Sequence, residues 1–309
     1  MKELFERAPL SFAASSYYAV KDPCPVFHAG RWHLFGTGVT GPHQFEVLHA
    51  LAPNLRGPWK LHDAVALASL TGSCIGAPGV VSDGAALHMF LQTDYNQLGG
   101  RVEQLISTDD GRTFAHAATA LTSDPGTDEA GIYDPHPAQI GSERYLVYSA
   151  FSTIGEPDVH LARSASGTWA GPWEKLGPIL RHEDVVWHNQ RGSVGYEWGL
   201  EGAQLVELPD GTVLLNGVCF LSDGPATCRQ RVFFARAPHV LGPYEVIGPV
   251  IAPPADQIQG ENGHATVVLD GDQLALFFQE RDAAGSWRYA IAFAPIRRLR
   301  TAAARRRAA

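Results

Sequence analysis

Charge is scarce in this chain, and its sign is wrong for nucleic acid. Only 18% of the 309 residues are Asp, Glu, Lys or Arg, and the formal net charge is -8, whereas phosphate binding needs a cationic face. Basic residues gather between Arg297 and Arg307. That Ala/Arg stretch has no apolar stripe, so 297–309 reads as a frayed helix or a tail. Cysteine is sparse too. Cys24, Cys74, Cys219 and Cys228 lack zinc-type spacing and are too few for a disulfide framework, which leads us to expect reduced thiols in a cytoplasmic protein. No uninterrupted apolar run is long enough to span a bilayer, and residues 1–20 hold no apolar core of a secretory signal, so no membrane partner is expected. Gly-x-Gly-x-x-Gly, the phosphate loop and Gly-x-Ser-x-Gly are all missing, which removes support for nucleotide and serine-hydrolase chemistry. Without a His-x-x-x-His pair or a carboxylate-rich loop, a tightly bound catalytic metal is not expected.

What the chain has is turns and short apolar strands. Hydrophobic residues make up 45%, with 32 glycines and 21 prolines, enough apolar surface for a substantial core. Hairpin turns centred on Gly30, Gly84, Gly141, Gly211 and Gly271 recur at intervals of roughly 55–70 residues, each between two apolar runs. A second marker is the turn Gly57-Pro58-Trp59, repeated as Gly171-Pro172-Trp173 and Gly242-Pro243-Tyr244. Its counterpart in the second unit, Ser107-Thr108-Asp109-Asp110-Gly111-Arg112-Thr113-Phe114, resembles the Asp-box turn of sialidase-like propellers, where acid and hydroxyl side chains tie up turn amides. A period of this length with strands and no helical repeat predicts an all-β, five-bladed β-propeller over residues 1–296. The fifth unit is one strand short. The stretch Leu10 to Tyr18 is placed to supply that strand, so that the N-terminus closes the ring and removes the open edges.

Inner strands of a propeller converge on one axis, so residues that open them meet at one mouth. The openings are Asp22-Pro23, Ala77-Pro78, Asp134-Pro135, Glu201-Gly202 and Gly263-His264. Three acids from blades one, three and four therefore come together. Carboxylates that close repel one another, and at least one should keep its proton near neutral pH. A protonated carboxyl facing an ionised one is the apparatus of glycoside cleavage.

In this order and phase the chain resembles glycoside hydrolase family 43 and its five-bladed relatives of the arabinanase and β-xylosidase type. The resemblance runs through all five blades. It implies Asp22 as the general base, Glu201 as the general acid and Asp134 as the residue that positions Glu201 and raises its pKa. The reaction implied is single-step inversion on a small glycoside or short oligosaccharide, with no required cofactor. By the same resemblance His264 is the axial histidine that in some members sits beside a calcium ion, and Arg281 contacts substrate. A hydrogen-bonded core position is the competing reading of His264. His136 follows Asp134 at strand spacing and is a candidate for the same channel. Trp187, Tyr196 and Trp198, in the long linker before Glu201, either stack on a sugar or wedge the linker between blades. Ala203 stands where the family often has proline, Gly76 precedes Ala77-Pro78 where a tryptophan is often seen, and no accessory β-sandwich follows. A non-hydrolytic sugar-binding propeller, or a relative recruited to phosphorolysis or a secondary-metabolite reaction, is therefore the alternative. Oligomeric state is not encoded in any of these features.

Overall fold

In a computed structural model the five units form five antiparallel sheets arranged as a β-propeller. It describes residues 4–12, 16–94, 98–152, 156–185, 199–224, 227–252, 261–282 and 284–299, without the side chains of 221–224 and 227–228. Blade one is Ala19–His28, Arg31–Gly41, Gln44–Ala52 and Lys60–Leu61. Blade two is Gly76–Ser82, Leu87–Thr93, Arg101–Ser107 and Thr113–Thr122. Blade three runs Gly131–Ile140, Glu143–Phe151, Asp158–Ser164 and Trp173–Leu180, and blade four Glu201–Glu207, Val213–Gly224, Thr227–Ala237 and Glu245–Pro249. Blade five has Asn262–Asp270, Gln273–Arg281 and Trp287–Pro295.

The ring closes at the N-terminus, but through a different segment from the one expected. Glu6–Ala8, not Leu10 to Tyr18, pairs with the last strand of blade five, Glu6 opposite Phe293 and Ala8 opposite Ile291. Two anchors hold it there. Phe5 is fully buried and meets Phe234 edge-on at 5.5 Å, and Arg7 pairs with Glu280. Phe12 instead bridges to Trp59 beside blade one. Ala66–Ala68 adds a fifth strand to the sheet of blade two, parallel to its last strand.

The core lies between the blades. Each of five apolar clusters fills one blade interface; Leu214 and Phe234 of blade four, for example, pack on Val267, Leu276 and Phe278 of blade five. Alternating strands explain this, because the inward residues of one sheet interdigitate with those of the next. The repeated outer turns also match their sequence: all three Gly-Pro-aromatic turns carry a cis Gly–Pro bond. In the counterpart in blade two the Gly111 N–H donates to Ser107 Oγ and the Thr113 N–H to Asp109 Oδ1, each at 3.0 Å.

Candidate active site at the propeller axis

Every inner strand carries a register shift near its start, and the shift brings one residue into the left-handed region. These residues are Asp22 (φ 55°), Ala77 (47°), Asp134 (50°), Gly202 (54°) and His264 (35°). A bulge of this kind re-aims a side chain out of the strand's alternation, here toward the axis. The sequence pairing of Glu201 and Gly263 with Asp22 is thus one residue out. His264 shares the phase of the two aspartates, and Glu201 reaches the site from the position before it.

The strained backbone is held from outside the strand, by residues that sequence reading missed. The N–H of Asp134 donates to Gln92 Oε1 at 2.8 Å, and that of Asp22 to Gln279 Oε1 at 3.0 Å. At Ala77 the acceptor is Thr37 Oγ1, at 2.9 Å. In each case the acceptor sits on the second strand of the preceding blade. The available signal was a lone polar residue closing an apolar run, as in Met89-Phe90-Leu91-Gln92 and Phe277-Phe278-Gln279.

The three predicted acids do come together, around the ring of His264. Its Nδ1 lies 3.1 Å from Asp22 Oδ1 and 3.7 Å from Asp134 Oδ2, and its Nε2 lies 3.6 Å from Glu201 Oε2. The ring therefore spans Asp22 and Glu201 through opposite nitrogens. Asp134, Glu201 and His264 are all buried, and they offer atoms within 4.8 Å of one another. Asp134 Oδ2 also accepts the Gly202 N–H at 3.1 Å, and Tyr133 donates its hydroxyl to Glu201 Oε1 at 3.0 Å. Glycine is required at 202: a Cβ there would stand 2.7 Å from His264 Nδ1.

Burial, reinforced by the charges of Glu201 and Asp22 and opposed by His264, raises Asp134 to about 7. For His264 burial works against the charged form, but Asp134, Asp22 and Glu201 outweigh it and raise the ring to about 9. The cluster thus holds an imidazolium among carboxylates, one of which takes up a proton near neutrality.

Beneath the acids the axis opens into a cavity of about 30 Å³ lined by Asp22, Cys24, Asp134, His136, His264 and Thr266, among others. That is room for about two waters. His136 is half-buried, its ring kept neutral by burial, which lowers it to about 4.

No protein-family model and no curated protein matches the sequence. Solved structures do. The endo-arabinase from Bacteroides thetaiotaomicron VPI-5482 superposes with a TM-score of 0.68 at 14% identity, over 94% of this chain and 98% of that one. A thermostable family-43 glycoside hydrolase gives 0.67 at 18% identity, over 89% and 88%. The catalytic domain of the GH62 α-L-arabinofuranosidase of Coprinopsis cinerea gives 0.67 at 13%, over 94% and 96%. The chain has the fold of these glycosidases.

On that family-43-like propeller, Arg281 ends the second strand of blade five, at the same end of the blades as the acids. It is ion-paired with Glu261, donates to Gly285 O at 2.8 Å and lies 4.5 Å over the ring of Trp287. Trp187, Tyr196 and Trp198 lie outside the described residues.

Proposed function

We propose that this chain is a glycoside hydrolase that cleaves a small glycoside or short oligosaccharide with inversion. Asp22 acts as the base that activates water, Glu201 as the acid that protonates the leaving oxygen, and Asp134 as the group that keeps the proton available. The observation that carries this reading is the convergence of three carboxylates from three blades in one buried site, with Asp134 raised toward neutrality. Asp22 and Glu201 stand on either side of the His264 ring; inversion needs roughly 6.5–9.5 Å between base and acid to admit a water. The Tyr133 hydroxyl fixes one oxygen of Glu201, and the other faces His264 Nε2. We take Arg281, at the same end of the blades and with its guanidinium oriented by Glu261 and Trp287, as the substrate contact.

Calcium does not fit directly on His264. Calcium takes about 6–8 oxygen ligands, and His264 offers only ring nitrogens. In our reading His264 is itself the cation that holds the acids together, and no step passes through a metal.

One of the similar solved structures is a Cellvibrio cellulosa α-L-arabinanase complexed with arabinohexaose, so arabino-configured substrates come first in a screen with xylo-, galacto- and fructo-configured ones. Product anomers followed by NMR test inversion. Glu201→Gln should lose about 10²–10⁴ in kcat on substrates with poor leaving groups; wild-type turnover by that variant would remove the assignment. Sugar binding by calorimetry with no turnover of any substrate would identify a non-hydrolytic sugar-binding propeller instead.

A further inference from the structure

We infer that Tyr289 is a positioning residue for Asp22, gripping the Lys21–Asp22 peptide group together with Gln279. The inference rests on the reading of Asp22 as the base. Tyr289 Oη donates to Lys21 O at 2.7 Å, and the Asp22 N–H donates to Gln279 Oε1 at 3.0 Å. Lys21 O and the Asp22 N–H are the two polar ends of one planar peptide. Held at both ends, that plane cannot rotate, and its orientation sets φ at Asp22. The φ there is 55°, in the left-handed region that non-glycine residues seldom take. The register of blade one breaks at this place, between Lys21, opposite Thr37, and Cys24, opposite Phe35, so the ladder does not fix the peptide. Two side chains of blade five do so instead. They are register partners, Gln279 on the second strand and Tyr289 on the third.

The neighbouring residues are shaped around this contact. Tyr289 is buried, with its ring 5.3 Å from that of Phe12. Burial, reinforced by the Asp22 charge, raises its hydroxyl well above 10, so it keeps its proton and remains a donor. Gly36 makes the room: a Cβ there would overlap the Tyr289 hydroxyl and stand 2.7 Å from Lys21 O. A second tyrosine provides the contrast. Tyr17 packs over Gly38 of the same strand, but it gives its hydroxyl to Glu46 Oε1 at 2.7 Å, a side chain rather than inner-strand backbone. Removing the Tyr289 hydroxyl leaves Lys21 O without that bond and frees the peptide to turn. The Asp22 carboxylate can then swing from its place 3.1 Å from His264 Nδ1. Asp134 is untouched, because its N–H is held by Gln92 of blade two.

The test is Tyr289→Phe in the full chain, which keeps the ring, with Tyr17→Phe as the control. Amide hydrogen exchange followed by NMR should be about tenfold or more faster at Asp22 and unchanged at Asp134. On a hydrolysed substrate, kcat should fall about 10–100-fold with KM within about twofold of wild type, since the grip acts on the base and not on sugar binding. Tyr17→Phe should leave both readouts at wild-type values. Gly36→Ala, which displaces the same hydroxyl from the other side, should reproduce the effects of Tyr289→Phe. Wild-type exchange at Asp22 or wild-type kcat in Tyr289→Phe overturns the inference. Equal acceleration at Asp22 and Asp134 overturns it too, because a general loosening of the core would move both amides. The exchange measurement needs no substrate. If no glycoside is turned over, the hydrolase reading fails, while exchange still decides whether Tyr289 holds Asp22.

Discussion

Replacing His264 with leucine keeps roughly the bulk of the ring and removes the cation from the centre of the site. Asp22 Oδ1, Asp134 Oδ2 and Glu201 Oε2, now 3.1, 3.7 and 3.6 Å from ring nitrogens, would then face one another with no positive partner in the ring's place. Deleting one member of a buried ion pair costs about 3–5 kcal/mol. The cost depends on pH, because the ring is a cation only while it keeps its proton. In the wild type, His264 is raised from 6.5 to about 9, so the stability it contributes is complete below pH 6.5 and lost as pH rises through 9. Asp134, raised to about 7, holds its proton at pH 6 with the ring in place and gives the variant no separate relief there. The variant should therefore lie about 3–5 kcal/mol below wild type at pH 6 and less than about half as far below it at pH 10. Urea unfolding followed by tryptophan fluorescence at the two pH values measures both gaps. Equal gaps would refute the reasoning and reduce His264 to a packing residue.

Three further outcomes follow from the same geometry. Tyr133→Phe removes a hydrogen bond donated to Glu201; because that bond favours the ionised carboxylate, the alkaline limb of the kcat profile should move up by about one pH unit, and an unmoved limb would show that the hydroxyl does not act on the acid. Gln279→Leu strips the acceptor from the Asp22 N–H at a cost of about 1–3 kcal/mol, and should lower kcat more than it raises KM; wild-type kinetics would mean that the bulge holds its shape unaided. In blade one, His33 and His49 are buried with Nδ1 and Nε2 3.0 Å apart, and burial lowers them to about 4 and about 3. A histidine lowered in the folded state contributes stability that is full above 6.5 and lost on acidification, so His49→Phe should flatten the fall in the urea midpoint between pH 6.5 and 4, and an unchanged slope would place acid sensitivity elsewhere.

The propeller was legible because its signals are local and repeat. Gly30, Gly84, Gly141, Gly211 and Gly271 all take left-handed φ values, from 59° to 92°, at the turns where the sequence put them. Closure by Glu6–Ala8 was not legible, since it depends on Phe5 finding Phe234 of another blade and Arg7 finding Glu280, contacts more than two hundred residues apart in sequence. At the site, Asp22, Asp134 and Glu201 were visible as acids opening strands. The supporting glutamines were not. Gln92 and Gln279 look like ordinary strand residues until the neighbouring blade places a bare N–H against each of them.

The one-residue error in blades four and five is itself informative about how the site is built. Five bulges supply five left-handed slots around the axis, and the chain fills them with Asp22, Ala77, Asp134, Gly202 and His264. Two slots hold acids and one a base. The slots at Ala77 and Gly202 carry almost no side chain, and the second of these cannot, because His264 leans against it. Placing an acid in the Gly202 slot would put a side chain where the imidazole lies. Glu201 instead enters from the ordinary strand position one residue earlier, and the longer glutamate side chain carries its carboxyl to His264 Nε2 from the far side of the ring. The difference between an aspartate pair and a glutamate in this acid set thus has a geometric cause: aspartates occupy left-handed slots that already aim at the axis, and a glutamate makes up the distance from a position that does not.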